Sequence, residues 1–297
     1  MLYWVRLAAA CAIALSGAAF AQPTAVPDGA APDLRFPSQP VPITELTSPR
    51  MALVRPDGSG PFAALVLHHQ CGGLGRGQWV NLAMLEWTRR AARRGYAVLL
   101  LDSFGPRGVD WLCMGPKGGV NFARGVRDAL QAAEHLRGLP FVDKARIAHV
   151  GFSWGAMVGL LANSRSFRNF QGGLPNFTAY VSFYPGCFTI KRPDGGLLEL
   201  VRGDMDQPHM VLLGGLDTET PASECVDRLG AAKAAGAPVE WHVFQSATHC
   251  WDCENLNGLV KVDVRGNRVA YHYDAGVTAD SEHRLFEFLI KALAARP

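Results

Sequence analysis

A serine between two glycines, Ser153 in the run "HVGFSWGAMVGL" (149–160), is the first feature of the chain able to do chemistry. The run passes from an apolar, strand-like stretch into a helix-like one, with Gly151 and Gly155 two residues to either side of the serine. Such a strand-to-helix turn can hold a side chain out on a strained bend, where its hydroxyl acts as a nucleophile. The same spacing also suits a tight turn with no chemistry, since only small residues fit where strand and helix approach closely. The motif alone does not separate the two; its partners do.

A serine hydroxyl is a weak nucleophile near neutral pH. It needs a base, and the base needs an acid to orient it. "MVLLGGLDTETP" (210–221) supplies Asp217 just after an apolar run, and "VEWHVFQSATHCWD" (239–252) supplies His249 just after the next. That is the order, acid and then histidine, in which sheet-and-helix hydrolases present these groups. Glu219 is a competing acid in the same loop, and Asp217 would otherwise cap a helix beginning near Pro221. His242 falls inside an apolar run and is read as structural. A tetrahedral intermediate also needs backbone donors for its oxyanion. The amide of Trp154, next after the serine, is one candidate. The amide of Cys71, in the glycine-rich loop "LVLHHQCGGLG" (65–75), is the other. His68 and His69 beside it are read as stiffening that loop by hydrogen bonds.

These side chains need a scaffold, and the chain predicts one. Short runs rich in apolar and β-branched residues lie at 63–69, 96–102, 146–151, 179–185, 210–217 and 239–245. Most are apolar at successive positions, as expected for strands buried on both faces of a parallel sheet. Helix-like segments alternate with them, at 79–95, 125–138, 154–163, 221–236 and from about 279 to 295. In the second of these, Val126, Leu130, Ala133 and Leu136 share a face; in the last, Leu285, Phe286, Leu289 and Leu293 do. The fold class is therefore α/β, a mostly parallel central sheet with helices on both faces, and a short strand near 52–55 adds an antiparallel edge.

The N-terminus predicts export. "MLYWVRLAAACAIALSGAAFAQ" has an early Arg6, a short apolar run and a small-residue end at Ala19-Phe20-Ala21, the layout of a signal peptide cut before Gln22. Its apolar run is short for a span of about 20 residues. The expected divisions are a leader at 1–21, a proline-rich extended lead-in at 22–49 and one catalytic domain at 50–297. The formal net charge of +3 is scattered. No basic block points to nucleic acid, and no basic amphipathic helix points to a membrane once the leader is removed. Six cysteines follow the leader: Cys71, Cys113, Cys187, Cys225, Cys250 and Cys253. An even number in an oxidising compartment, periplasmic or extracellular, suggests disulfides. The rival is a metal site on Cys250, Cys253 and His249, but zinc would want a second ligand pair of similar spacing. No metal or cofactor is expected.

With these residues placed, the chain resembles the dienelactone hydrolase family of α/β-hydrolases from about residue 52 onward. The likeness rests on "LHHQCGGL", "YAVLLLDSFGPRG", "GFSWG", "LLGGLDTETP" and "ATHCWD". It implies a domain without a large cap that cleaves an ester or lactone with no metal, with Ser153 as nucleophile, Asp217 as acid and His249 as base. Two departures stand out. The founding members use a cysteine nucleophile where this chain has Ser153. They also carry an arginine soon after the catalytic histidine to hold a substrate carboxylate, and here Cys253 occupies that place. Arg107 is a candidate to approach the pocket instead. Gln70, Trp111 and Trp251 are further candidate pocket residues, and Trp154 would join them if its ring lines the site.

In that fold, "YPGC" ends one strand loop and "TPASEC" opens the next helix, so Cys187 and Cys225 would bridge neighbouring loops. Cys71 and Cys113 follow successive strands, and their pairing would brace the oxyanion loop. Cys250 and Cys253 remain for each other. The expected activity is an exported serine hydrolase acting on a small carboxylic ester or lactone. The alternatives are a serine peptidase or acyl-chain hydrolase of the same fold, and a non-catalytic binding protein that kept it.

Overall fold

The computed structural model describes residues 30–192 and 195–294. The expected leader and the first part of the lead-in lie outside the described residues, and so does the end of the expected last helix. Among the described residues no helix is long and apolar enough to cross a membrane.

Seven strands form the central sheet: β1 (Ala52–Val54), β2 (Phe62–His68), β3 (Ala97–Leu101), β4 (Val142–Phe152), β5 (Ala179–Phe183), β6 (His209–Gly214) and β7 (Val239–Phe244). Their order is β1-β3-β2-β4-β5-β6-β7. Every neighbouring pair is parallel except β1 with β3, which is the expected antiparallel edge. Among the described residues six α-helices accompany the sheet: α1 (Leu82–Arg93), α2 (Phe122–Arg137), α3 (Trp154–Asn163), α4 (Arg165–Phe170), α5 (Ala222–Ala234) and α6 (Ala275–Ala292).

The unbroken apolar runs have a direct cause: successive residues feed different cores. Leu65, Leu67, Val98 and Leu100 face one core, shared with Trp87 of α1 and with Leu285, Phe286 and Leu289 of α6. Ala64, Val66, Leu99 and Leu101 face the other, shared with Val126, Leu130 and Ala133 of α2 and Val158 of α3. Burying one such leucine contributes about 1.5–3 kcal/mol before chain entropy is counted. Helix starts are set by caps. Asn81 accepts from the Met84 N–H at α1, and Asn121 from the Arg124 N–H at α2. Asp274 accepts from the Val277 N–H, so α6 begins at Ala275, four residues before the position expected from its apolar stripe.

Where it is described, the lead-in holds a short 3-10 helix at Ile43–Glu45 and is otherwise irregular, and it is laid against the domain. The Val41 N–H donates to the Leu53 carbonyl at 2.8 Å, Ala31 and Leu46 are buried, and Asp33 pairs with Arg124 and Arg127 of α2. Three two-stranded ribbons also escaped the sequence reading, at 75–80, 189–199 and 260–270. Because the strands are parallel, the loops after β2, β4, β5, β6 and β7 gather at one rim of the sheet, where ligands bind in open α/β folds.

Candidate active site

Ser153 sits between β4 and α3 with φ 49° and ψ −108°, a conformation that costs a non-glycine residue energy. Its N–H donates to the Phe183 carbonyl of β5 at 2.9 Å, and the Gly155 N–H donates to the His69 carbonyl at 3.1 Å. The flanking glycines are required by contact. A Cβ on Gly151 would lie 2.2 Å from the Gly155 carbonyl oxygen, and one on Gly155 would lie 2.3 Å from the His68 carbonyl oxygen. Tyr184 and Cys250 are the other non-glycine residues with positive φ among the described residues, and both border the site.

The three separated side chains meet. His249 Nε2 lies 3.0 Å from Ser153 Oγ, and His249 Nδ1 lies 2.7 Å from Asp217 Oδ2. With Nδ1–H donating to the carboxylate, Nε2 is left to accept the serine proton. Asp217 is itself anchored: the backbone N–H groups of Glu219 and Thr220 donate to Oδ1, and the Thr220 hydroxyl donates to Oδ2. All three residues are buried. Burial alone would lower the His249 pKa, but the nearby Asp217 and Glu219 carboxylates outweigh it and hold the imidazole above its ordinary 6.5. Burial would likewise raise Asp217, yet the imidazole and the Thr220 donors keep it below its ordinary value. The pair is built to stabilise an imidazolium.

A cavity of about 490 Å³ opens over Ser153 and His249. Gln70 and Cys71 form part of its wall, and Trp79, Trp111, Leu256 and Leu259 make it largely apolar; Lys261 and Tyr271 add polar groups. Trp154 is the first residue of α3, so its N–H has no partner within the helix and lies directly after the serine.

A profile of the dienelactone hydrolase family matches residues 50–293. The chain belongs to that family. Solved structures share its α/β-hydrolase fold at low identity. A putative dienelactone hydrolase from Klebsiella pneumoniae superposes with a TM-score of 0.60 at 17% identity, covering 80% of this chain and 91% of that one. The propionate-bound esterase 2 of Thermogutta terrifontis does so with a TM-score of 0.56 at 15% identity, covering 83% and 91%. A dienelactone hydrolase-like promiscuous phosphotriesterase from metagenomic libraries gives 0.55 at 20% identity, covering 80% and 89%. No curated protein matches the sequence.

Two expected pocket residues of this dienelactone hydrolase family member lie elsewhere. Arg107 turns from the cavity into a bidentate ion pair with the buried Asp128 and also donates to the Pro32 carbonyl. A guanidinium satisfied in this way is fixed as part of the scaffold. Trp251 is fully buried, its ring edge-on to Tyr184 and Phe244 and its N–H aimed at Ser281. The Trp154 ring also points away, packing on His68, His69 and Phe104. His68 and His69 do hold their loop, through Ser103 and the Gln70 carbonyl.

The disulfides are Cys71–Cys113, Cys187–Cys225 and Cys250–Cys253, the expected connectivity. Cys250, Asp252 and Cys253 are the one cluster of possible metal ligands among the described residues, but both sulfurs are tied to each other. Behind the cavity, Asn81 donates to Gln70, Gln70 to the Tyr184 hydroxyl, and Tyr184 and Trp87 to Asp252. Burial pushes the Asp252 pKa up. The Tyr184 ring in turn meets the His249 ring edge-on at 4.7 Å between centroids. Of this support the sequence pointed only to Gln70; Tyr184, Asp252, Trp79, Lys261 and Tyr271 went unseen, and the "FYPG" run at 183–186 is the one local signal of a turn at Tyr184.

Proposed function

We propose that the protein is an exported serine hydrolase that cleaves a small carboxylic ester or lactone through an acyl-Ser153 intermediate. The observation that carries this reading is the 3.0 Å approach of His249 Nε2 to Ser153 Oγ, with Asp217 on the opposite ring nitrogen. His249 takes the hydroxyl proton as Ser153 attacks the carbonyl carbon, then passes it to the leaving alkoxide. Asp217 holds the tautomer and stabilises the imidazolium. The amides of Trp154 and Cys71 are the donors assigned to the oxyanion. Water then attacks the acyl carbon, His249 takes its proton and returns it to Ser153 Oγ, and the acid leaves.

The apolar walls of Trp79, Trp111, Leu256 and Leu259 favour a neutral, hydrophobic acyl or alcohol group. The serine nucleophile, and a cysteine where the founding members carry their carboxylate-binding arginine, weigh in favour of ordinary esters. The esterase from Thermogutta terrifontis, which holds propionate in its structure, is in keeping with a short acyl group. The leader-like N-terminus and three disulfides support export. A panel of p-nitrophenyl esters and lactones, with Ser153→Ala as the blank, tests the activity. Hydrolysis should fall by several orders of magnitude in the variant, and near-normal turnover would falsify the mechanism. Recovery from the periplasm or medium with Gln22 as first residue tests export, and a cytoplasmic chain retaining Met1 would reject it.

A further inference from the structure

Glu219 stands on the other side of the imidazole from Asp217. Its Oε2 lies 3.9 Å from His249 Nε2, the nitrogen that faces Ser153, so it does not compete with Asp217 for Nδ1. The side chain is held from two directions, by the ribbon at 260–270 and by Tyr271 just after it. Lys261 Nζ donates to Oε1 at 2.8 Å and the Tyr271 hydroxyl donates to Oε2 at 2.7 Å, while the guanidinium of Arg265 donates to the Glu219 backbone carbonyl. Its N–H donates to Asp217 Oδ1, which ties the two carboxylates to one turn. Lys261 and Tyr271 both line the cavity. The Glu219 side chain retains 14% exposure, so solvent can reach it.

A carboxylate oxygen already accepting from Tyr271 has a lone pair left, and a gap of 3.9 Å to Nε2 is too long for a direct hydrogen bond. It is right for one water molecule at about 2.8 Å from both atoms, donating one hydrogen to each. We propose that Glu219 is a positioning residue for the second half of the reaction, seating the water that hydrolyses the acyl-Ser153 intermediate. This rests on the acyl-enzyme reading above. The water oxygen forms the new bond to the acyl carbon and its proton passes to His249 Nε2. The bond from carbon to Ser153 Oγ then breaks with its electron pair going to Oγ, and His249 returns the proton there. Glu219 orients the second hydrogen and takes no proton. Acylation needs no water at this place, so the two halves depend on Glu219 unequally.

The test separates them. Wild type, Glu219→Gln and Glu219→Asp are mixed with p-nitrophenyl acetate at a pH on the activity plateau. Acylation is read from the p-nitrophenol burst and deacylation from decay of the acetyl adduct by intact mass. All rates are normalised to sites titrated with a fluorophosphonate, so misfolded molecules drop out. Glu219→Gln is expected to slow deacylation about 10- to 100-fold more than acylation, as misplaced reactants do, since acylation loses only the charge that Glu219 places near the imidazole. Glu219→Asp keeps the charge but falls short of the water, and is expected to follow Gln. Unchanged deacylation, equal slowing of both halves, or full rescue by Asp would overturn the proposal. Without a burst, acylation limits turnover and is read from the steady-state rate; a fluorophosphonate adduct on a residue other than Ser153 would instead overturn the acyl-enzyme reading itself.

Discussion

Asp217 and Glu219 are two residues apart in one loop, yet the turn sends them to opposite ring nitrogens of His249. Both were visible in the sequence as candidate acids, but only the backbone bonds of the turn decide between them: Asp217 is the group that accepts from the next amides and so stays fixed. Replacing it with Asn leaves the shape and removes the acceptor that selects the tautomer. Asp217→Asn should therefore lower kcat/KM about 10³- to 10⁴-fold with little change in melting temperature. A loss below 10-fold on an ester assay would contradict the assignment. The raised His249 pKa sets the pH profile. His249 must be neutral to accept a proton, so kcat/KM should rise with pH through a value above 6.5. An acid limb centred below 6 would contradict that environment. Arg107 and Trp251 mark the limit of reading residues one at a time, because Asp128 lies on the next helix and Tyr184 on the loop of another strand.

At the scale of elements, the central strands were legible because most feed cores on both faces and so carry long apolar runs. The ribbons at 75–80, 189–199 and 260–270 were not, since their pairs are short and largely exposed. The start of α6 was missed because Asp274 marks it by a cap, ahead of any apolar stripe. The elbow is where element packing and chemistry meet. Gly155→Ala would drive a methyl into the His68 carbonyl, and backbone cannot yield as a side chain can. A loss of about 1–3 kcal/mol in stability, with activity falling further than stability alone explains, is expected from urea unfolding and ester assays on the same samples. Wild-type behaviour in both would mean that α3 can slide away. Breaking Cys71–Cys113, which closes a separation of 42 residues, should cost about 2–4 kcal/mol. It should also slow acylation, because Cys71 then loses the brace that holds its amide. Loss of stability with full acylation would remove Cys71 from the oxyanion site.

For the whole molecule, the expected domain from residue 50 onward omits a strap that the structure makes part of the packing. Residues 30–49 run over α2 through Asp33 and over β1 through Val41. Proline content signalled extension, but nothing local could show what the chain lies on. A row of buried histidines has a similar global effect. His68, His149 and His209 are fully buried, with His149 Nε2 3.3 Å from His68 Nδ1 and His209 against Ser182. Burial pushes His149 and His209 down to about 3 and His68 well below its ordinary value. The unfolded chain, with histidines near 6.5, binds more protons than the folded one between these limits. Stability from these histidines is therefore fully present above about 6.5 and lost as pH falls toward 3. Carboxylates held low, such as Asp143, add their loss only below about 4, the region of their ordinary value. The urea midpoint should fall steeply from pH 6 to 4, and decline gently above 7 as His249, held above its ordinary value, loses its proton; a flat midpoint from 6 to 4 would mean that water or movement relieves the buried histidines.

Covalent capture addresses the acyl-enzyme most directly. The protein is incubated with a fluorophosphonate, digested without prior reduction and mapped by peptide mass spectrometry, with His249→Ala treated alongside. One adduct per chain on Ser153, formed at least 100-fold more slowly in His249→Ala, is the expected result. An adduct on another residue, or equal labelling with and without the imidazole, would contradict it.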